Sequence, residues 1–258
     1  MAIIEGKNIS VTIARKKILT DISLSLPQGQ RTAIIGPNGS GKSTLLKALC
    51  GLIAYQGQVF LQGSLIKQLK RSELAKRLAI LPQSLQVPAD LTVFDLVEHG
   101  RFPHRAWWKA IDSEDKNCIA WALKQTNIEH LQERLVNTLS GGERQRAWIA
   151  MALAQKPEIL LLDEPTTYLD ICHQLEILQL LTRLNQENHL TVVMVIHDLN
   201  QALQFADNVL VMKEGQIIAQ GKPESIITVE LLRQVFSVES EAFISSQGQK
   251  IISPLRSV

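Results

Sequence analysis

The chain has 258 residues, enough for one α/β domain carrying an embedded or appended subdomain. Hydrophobic residues make up 45% and charged residues 20%, an ordinary globular balance. A net charge of +2 without a long basic stripe gives no nucleic-acid footprint, and no apolar run approaches the roughly 20 residues that span a bilayer.

In chain order, Met1-Ala2-Ile3-Ile4-Glu5-Gly6-Lys7 lacks signal-peptide architecture, so a cytosolic chain that meets membrane only through a partner is expected. Ile9-Ser10-Val11-Thr12-Ile13 is the first strand-like run. A second, Arg31-Thr32-Ala33-Ile34-Ile35, feeds Gly36-Pro37-Asn38-Gly39-Ser40-Gly41-Lys42-Ser43-Thr44, which fits G-x-x-x-x-G-K-[ST]. Lys42 to Leu49 then reads as a helix closed by Gly51. Gly36, Gly39 and Gly41 let the backbone curl so that its N–H groups face phosphate oxygens, and the helix N-terminus adds partial positive charge. Lys42 is expected to neutralise the β- and γ-phosphates, with the Ser43 hydroxyl on Mg²⁺.

Gln58-Val59-Phe60-Leu61, between Gly57 and Gly63, and Leu78-Ala79-Ile80 are further strand-like runs. From about Thr92 to Gln155 helical spacing replaces them, as in Thr92 to Glu98 and Ile119 to Leu123. The block ends in Leu139-Ser140-Gly141-Gly142-Glu143-Arg144-Gln145-Arg146, by itself a glycine turn opening a helix. Ile159-Leu160-Leu161-Leu162-Asp163-Glu164-Pro165 reads as a strand buried on both faces, ending in two acids at the edge where α/β sheets bind ligands. Asp163 suits a hydrated Mg²⁺, and Glu164 suits an attacking water. Strand–helix alternation runs from Pro157 to about Gly221, and a helix is expected near Thr228 to Phe236. Cys50, Cys118 and Cys172 lack metal-ligand spacing and read as reduced, mostly packed thiols.

Taken together and in this order, the phosphate loop, the octapeptide and the acid-tipped strand resemble the nucleotide-binding domain of ABC transporters over nearly the whole chain. The resemblance implies one α/β domain over 1–258. Its P-loop NTPase (RecA-like) core with an antiparallel β subdomain would span 1–86 and 156–221. The inserted α-helical subdomain would span 87–155, and 222–258 would be a C-terminal extension. It implies that Gln83 reaches Mg²⁺, that Asp170 communicates across a dimer, and that His197 hydrogen-bonds the γ-phosphate. Ser140 with the N–H groups of Gly141 and Gly142 would meet the γ-phosphate held by a partner's Lys42. ATP would then join two head-to-tail copies, and Glu164 would help hydrolyse it.

The family often stacks an aromatic on adenine near the end of the first strand. Ile13 takes that place here and implies weak base discrimination, with Arg15 or Lys16 over the ring as alternative cover. Leu91 to His104 resembles ATPases of ferric-siderophore importers, a type shared with haem and cobalamin importers and nearest here to the ferric-citrate kind. This implies a homodimer on the cytoplasmic face of the inner membrane, two permease subunits, and an indirectly coupled periplasmic binding protein. A non-transport ABC ATPase is the other reading. Phe102, Trp107 and Trp108 read as permease anchors or as residues of the subdomain itself, and for Trp107 and Trp108 the two readings weigh equally.

Overall fold

The computed structural model describes residues 1–83, 90–105, 110–246 and 248–258. It forms two compact units, residues 1–68 with 193–258, and residues 69–192. In chain order the elements begin with β1 (Ala2–Ile13), β2 (Lys16–Pro27), β3 (Arg31–Ile35), α1 (Lys42–Leu49), β4 (Gln56–Leu61) and β5 (Ser64–Leu65). Next come α2 (Arg71–Arg77), β6 (Leu78–Leu81), α3 (Val93–Glu98), α4 (Ser113–Gln125), α5 (Gly141–Ala154), β7 (Ile159–Asp163) and α6 (Ile171–Asn188). The chain continues with β8 (Thr191–Val195), α7 (Leu199–Phe205), β9 (Asn208–Lys213), β10 (Gln216–Gly221) and α8 (Pro223–Ile226). It closes with α9 (Val229–Phe236), β11 (Val238–Ile244) and β12 (Lys250–Ser257).

In the first unit, β2-β1-β4-β5 form a four-stranded sheet. The β1–β2 hairpin turns through Ala14 and Arg15, both at positive φ, and pairs Ile13 with Lys16. Two left-handed residues give the turn the twist that a tight hairpin needs. Ile9 and Val11 on β1 and Ile22, Leu24 and Leu26 on β2 are buried at alternate positions, and Leu19, on the far side of Asp21 at φ +50°, is buried with them. A second set of strands takes the order β10-β9-β3, with Val193 to Val195 of β8 beside β3. β3 and β9 run parallel with Ala33 opposite Val209, and β3 is buried from Thr32 to Ile35, as a strand covered on both faces must be. Arg31 anchors its start. It donates to Asp207 through Nε at 3.0 Å, Nη2 at 2.7 Å and its own backbone N–H at 2.8 Å.

The C-terminal segment belongs to this unit. Thr228 caps α9, and β11 pairs antiparallel with β12. Asn200 of α7 makes two backbone bonds to Ile252 of β12, donating to its carbonyl at 3.0 Å and accepting from its N–H at 2.8 Å.

In the second unit, β6 and β7 run parallel, with Leu81 opposite Leu162. The Thr191 N–H at the start of β8 donates to Glu158 O at 3.1 Å beside β7. All five residues of β7 are buried. Helices α3, α4 and α5 pack together, and Arg101 binds this cluster: its guanidinium meets Asp115 at 2.8 Å and the Ala154 carbonyl at 2.7 Å, with both charges buried. Thr92 and Asp95 form a reciprocal cap on α3, as Asp112 and Asp115 do on α4.

Candidate functional site

Two sets of residues carry the expected chemistry, one in each unit. In the first, β3 runs straight into the glycine loop. A Cβ on Gly36 would stand 2.1 Å from the Met212 carbonyl oxygen, so only glycine lets the loop leave the sheet here. The Ser40 carbonyl accepts from the Gly215 N–H at 3.1 Å, tying the loop to the β9–β10 turn. Lys42 opens α1, and its buried ammonium donates to the carbonyls of Gly36 at 2.8 Å and Pro37 at 2.9 Å. That fold-back holds the ammonium within the curl of the loop, with Ser43 and Thr44 on the first helical turn. Ser40 Oγ is buried and finds no hydrogen-bond partner among the described residues. Helix-start N–H groups, a lysine and hydroxyls around one glycine curl suit a polyphosphate.

Ile13 and His197 lie in the same unit. Ile13 ends β1 and is 48% exposed, so its side chain is available to cover a planar ligand. His197 is exposed, two residues past the end of β8, and Asp198 beside it caps α7 by accepting from the N–H groups of Asn200 and Gln201.

In the second unit, Asp163 is the last, buried residue of β7. Glu164 follows at φ +55°, a left-handed conformation that costs a non-glycine residue about 1 kcal/mol or more and re-aims its side chain. Gln83 Nε2 donates to Glu164 Oε2 at 2.6 Å, and Thr167 Oγ1 donates to the same oxygen at 3.1 Å. Because the amide nitrogen of Gln83 serves Glu164, its carbonyl oxygen is the atom suited to a hard cation.

The glycine turn is a capped helix start. Ser140 Oγ accepts from the Glu143 N–H at 3.3 Å, and Glu143 Oε2 accepts from the Ser140 N–H at 2.9 Å. Hydrogen bonds from the Ser140 backbone N–H and side chain hold the Glu143 carboxyl below its usual range. Ser140 and Gly141 are exposed at the head of the fourteen-residue α5, whose dipole presents positive charge there. Asp170 caps α6 by accepting from the His173 N–H at 2.9 Å.

Thr167 and His173, both in contact with expected site residues, carry no sequence signal of their own. Thr167 is one hydroxyl in a Thr-Thr pair, and His173 is one polar residue on an amphipathic helix. Phe102 is 55% exposed, with the Arg105 guanidinium 5.9 Å from its ring centre. Trp107 and Trp108 lie outside the described residues. Cys50 and Cys118 are buried, and burial pushes the Cys50 thiol well up; Cys172 is exposed.

A family model described as ABC transporter matches residues 19–167. The iron(3+)-hydroxamate import ATP-binding protein of Bacillus subtilis (strain 168) is 46% identical over 245 residues, spanning 95% of this chain and 91% of that protein. A solved transporter assigned to the metal-chelate type, in an inward-facing conformation, superposes with TM-score 0.87 at 28% identity, over 99% of this chain and 98% of that one. A bacterial ABC transporter cassette solved as a dimer superposes with TM-score 0.74 at 32% identity, over 85% and 98%.

Proposed function

This chain belongs to the ABC transporter family, and on that premise we propose that it is the ATP-hydrolysing subunit of a bacterial importer of iron(III)–siderophore complexes. The observation that carries the hydrolytic part is the Gln83–Glu164 hydrogen bond, which orients a carboxylate at the end of β7 beside an amide oxygen suited to a cation. The cargo class rests on the hydroxamate-import relative and the metal-chelate neighbour.

In this reading Gly36 to Thr44 cradle the triphosphate and Lys42 counters its charge. Ser43, Gln83 and Asp163 would hold Mg²⁺, which when bound would neutralise phosphate charge. Glu164 accepts a proton from the attacking water, and His197 steadies the γ-phosphate end. Ser140, Gly141 and Gly142 at the α5 N-terminus meet the γ-phosphate bound by a second copy, and Asp170 lies at that crossing. Ile13 covers the base. Residues 87–155 form the subdomain that faces the permease, and 222–258 form the extension. Among the described residues no helix is long and apolar enough to cross a membrane, so two permease subunits would hold the dimer at the inner face of the inner membrane.

Reconstitution with the permease in vesicles tests the assignment. ATPase activity is expected to rise when binding protein loaded with a ferric hydroxamate is added. Stimulation by haem- or cobalamin-loaded binding protein alone would transfer the cargo to those classes.

A further inference from the structure

His173 has no part in the mechanism above, yet its imidazole lies between two groups that do. It is the third residue of α6, whose N-cap is Asp170. His173 Nδ1 stands 2.8 Å from each oxygen of the Asp170 carboxylate. A carboxylate only accepts, so Nδ1 carries the proton and donates. The Asp170 carboxyl is held below its usual range, first by the His173 backbone N–H and then by this imidazole.

The ring also covers Gly142. A Cβ built on Gly142 would stand 2.3 Å from His173 Cδ2 and 2.8 Å from Cγ, so the imidazole fills the space any side chain there would need. One residue earlier, the Cβ position of Gly141 lies 3.3 Å from Leu169 Cδ2. The starts of α5 and α6 are therefore wedged together by glycine–side-chain contacts, and close-packed contacts of this kind transmit displacement.

We infer that His173 is a positioning residue that couples Asp170 to the Ser140-Gly141-Gly142 turn. Its ring fixes the turn from one side while its Nδ1–H fixes the carboxylate from the other. The turn then meets a second copy's nucleotide only while Asp170 holds its place at the crossing. This rests on the shared-site reading proposed above.

Two variants separate the two contacts. His173→Phe keeps a ring over Gly142 and removes the donor to Asp170; His173→Asn keeps a donor and removes the ring. Both are expected to lower kcat for ATP hydrolysis about tenfold, with KM and the monomer's ATP affinity within about twofold, because a misplaced group costs turnover before binding. Matched thermal unfolding of either variant identifies the loss as positioning. The damage of Gly142→Ala is expected to shrink when His173→Ala makes room for the new methyl, a non-additive cycle. Wild-type turnover in both His173 variants, or a strictly additive cycle, overturns the coupling. Sedimentation of Glu164→Gln with ATP tests the premise separately. A persistent monomer overturns the shared site itself, whereas a dimer combined with wild-type turnover in the His173 variants overturns the coupling alone.

Discussion

Gln83 and Glu164 stand at matching positions past the ends of neighbouring strands, each two residues beyond the paired Leu81 and Leu162, and the amide nitrogen of one donates to the carboxylate of the other at 2.6 Å. Parallel pairing produces this meeting, since β6 and β7 leave their sheet at the same level. Thr167 donates to the same carboxylate oxygen, so two donors fix the orientation of the side chain expected to act on water.

Replacing Glu164 by Gln removes the basic oxygen and keeps the size. ATP turnover is expected to fall by about 10²–10⁴, the usual contribution of a positioned base. Phosphate release checks it; a loss below tenfold would assign proton removal to another group.

Lys42→Ala and Ser140→Arg are expected to fail differently. Removing the ammonium weakens ATP binding to the isolated chain by roughly 30-fold or more, as loss of a charged hydrogen bond does. Ser140→Arg leaves that binding intact and abolishes hydrolysis, because the serine heads α5 and is proposed to serve another copy's nucleotide. Equal losses of affinity in a fluorescent-ATP titration would contradict the shared site.

An aliphatic residue at the base position predicts loose nucleotide choice. GTP is expected to be hydrolysed within about tenfold of ATP, and Ile13→Tyr to tighten ATP about fivefold, since stacking contributes about 1 kcal/mol. Competition assays with both nucleotides measure this.

The Arg31–Asp207 pair predicts acid sensitivity at the strand that carries the phosphate loop. Burial opposes ionisation of Asp207, but three hydrogen bonds from Arg31 outweigh it and lower the carboxyl below its usual range. A carboxyl depressed by folding contributes stability that is complete above the unfolded pKa of about 4 and is lost as pH falls through the folded value. Asp207→Asn is expected to cost about 1 kcal/mol at pH 7, discounted for the group's partial exposure, and less at pH 2. Denaturant unfolding at both pH values shows the difference; an equal cost at both would assign it to packing.

Sequence patterns locate the elements with strong periodicity. β3, α1 and β7 lie where the β-branched run, the capped helix and the apolar run place them. β1 is longer than Ile9 to Ile13 because pairing with β2 and β4 carries it through Glu5-Gly6-Lys7-Asn8, where register shifts and a positive φ at Asn8 break the alternation. The β11–β12 hairpin has no clear signal: its strands mix Glu239, Glu241, Lys250, Pro254 and Arg256 with apolar residues, and Asn200, about fifty positions away, supplies two of its backbone partners. Lys42, Asp163 and Glu164 are legible because their chemistry sits inside short motifs.

What the sequence alone determines is what short spacing encodes: a glycine curl before a helix, caps at Ser140 and Asp170, and acids at the end of a buried strand. Each depends on neighbours within one or two turns, where backbone geometry fixes the outcome. The tertiary structure decides the encounters between distant residues. Gln83 bonds Glu164 across 81 positions and Arg31 bonds Asp207 across 176, while the His173 ring closes over Gly142. Strand register and helix packing set those distances, and no local pattern records them.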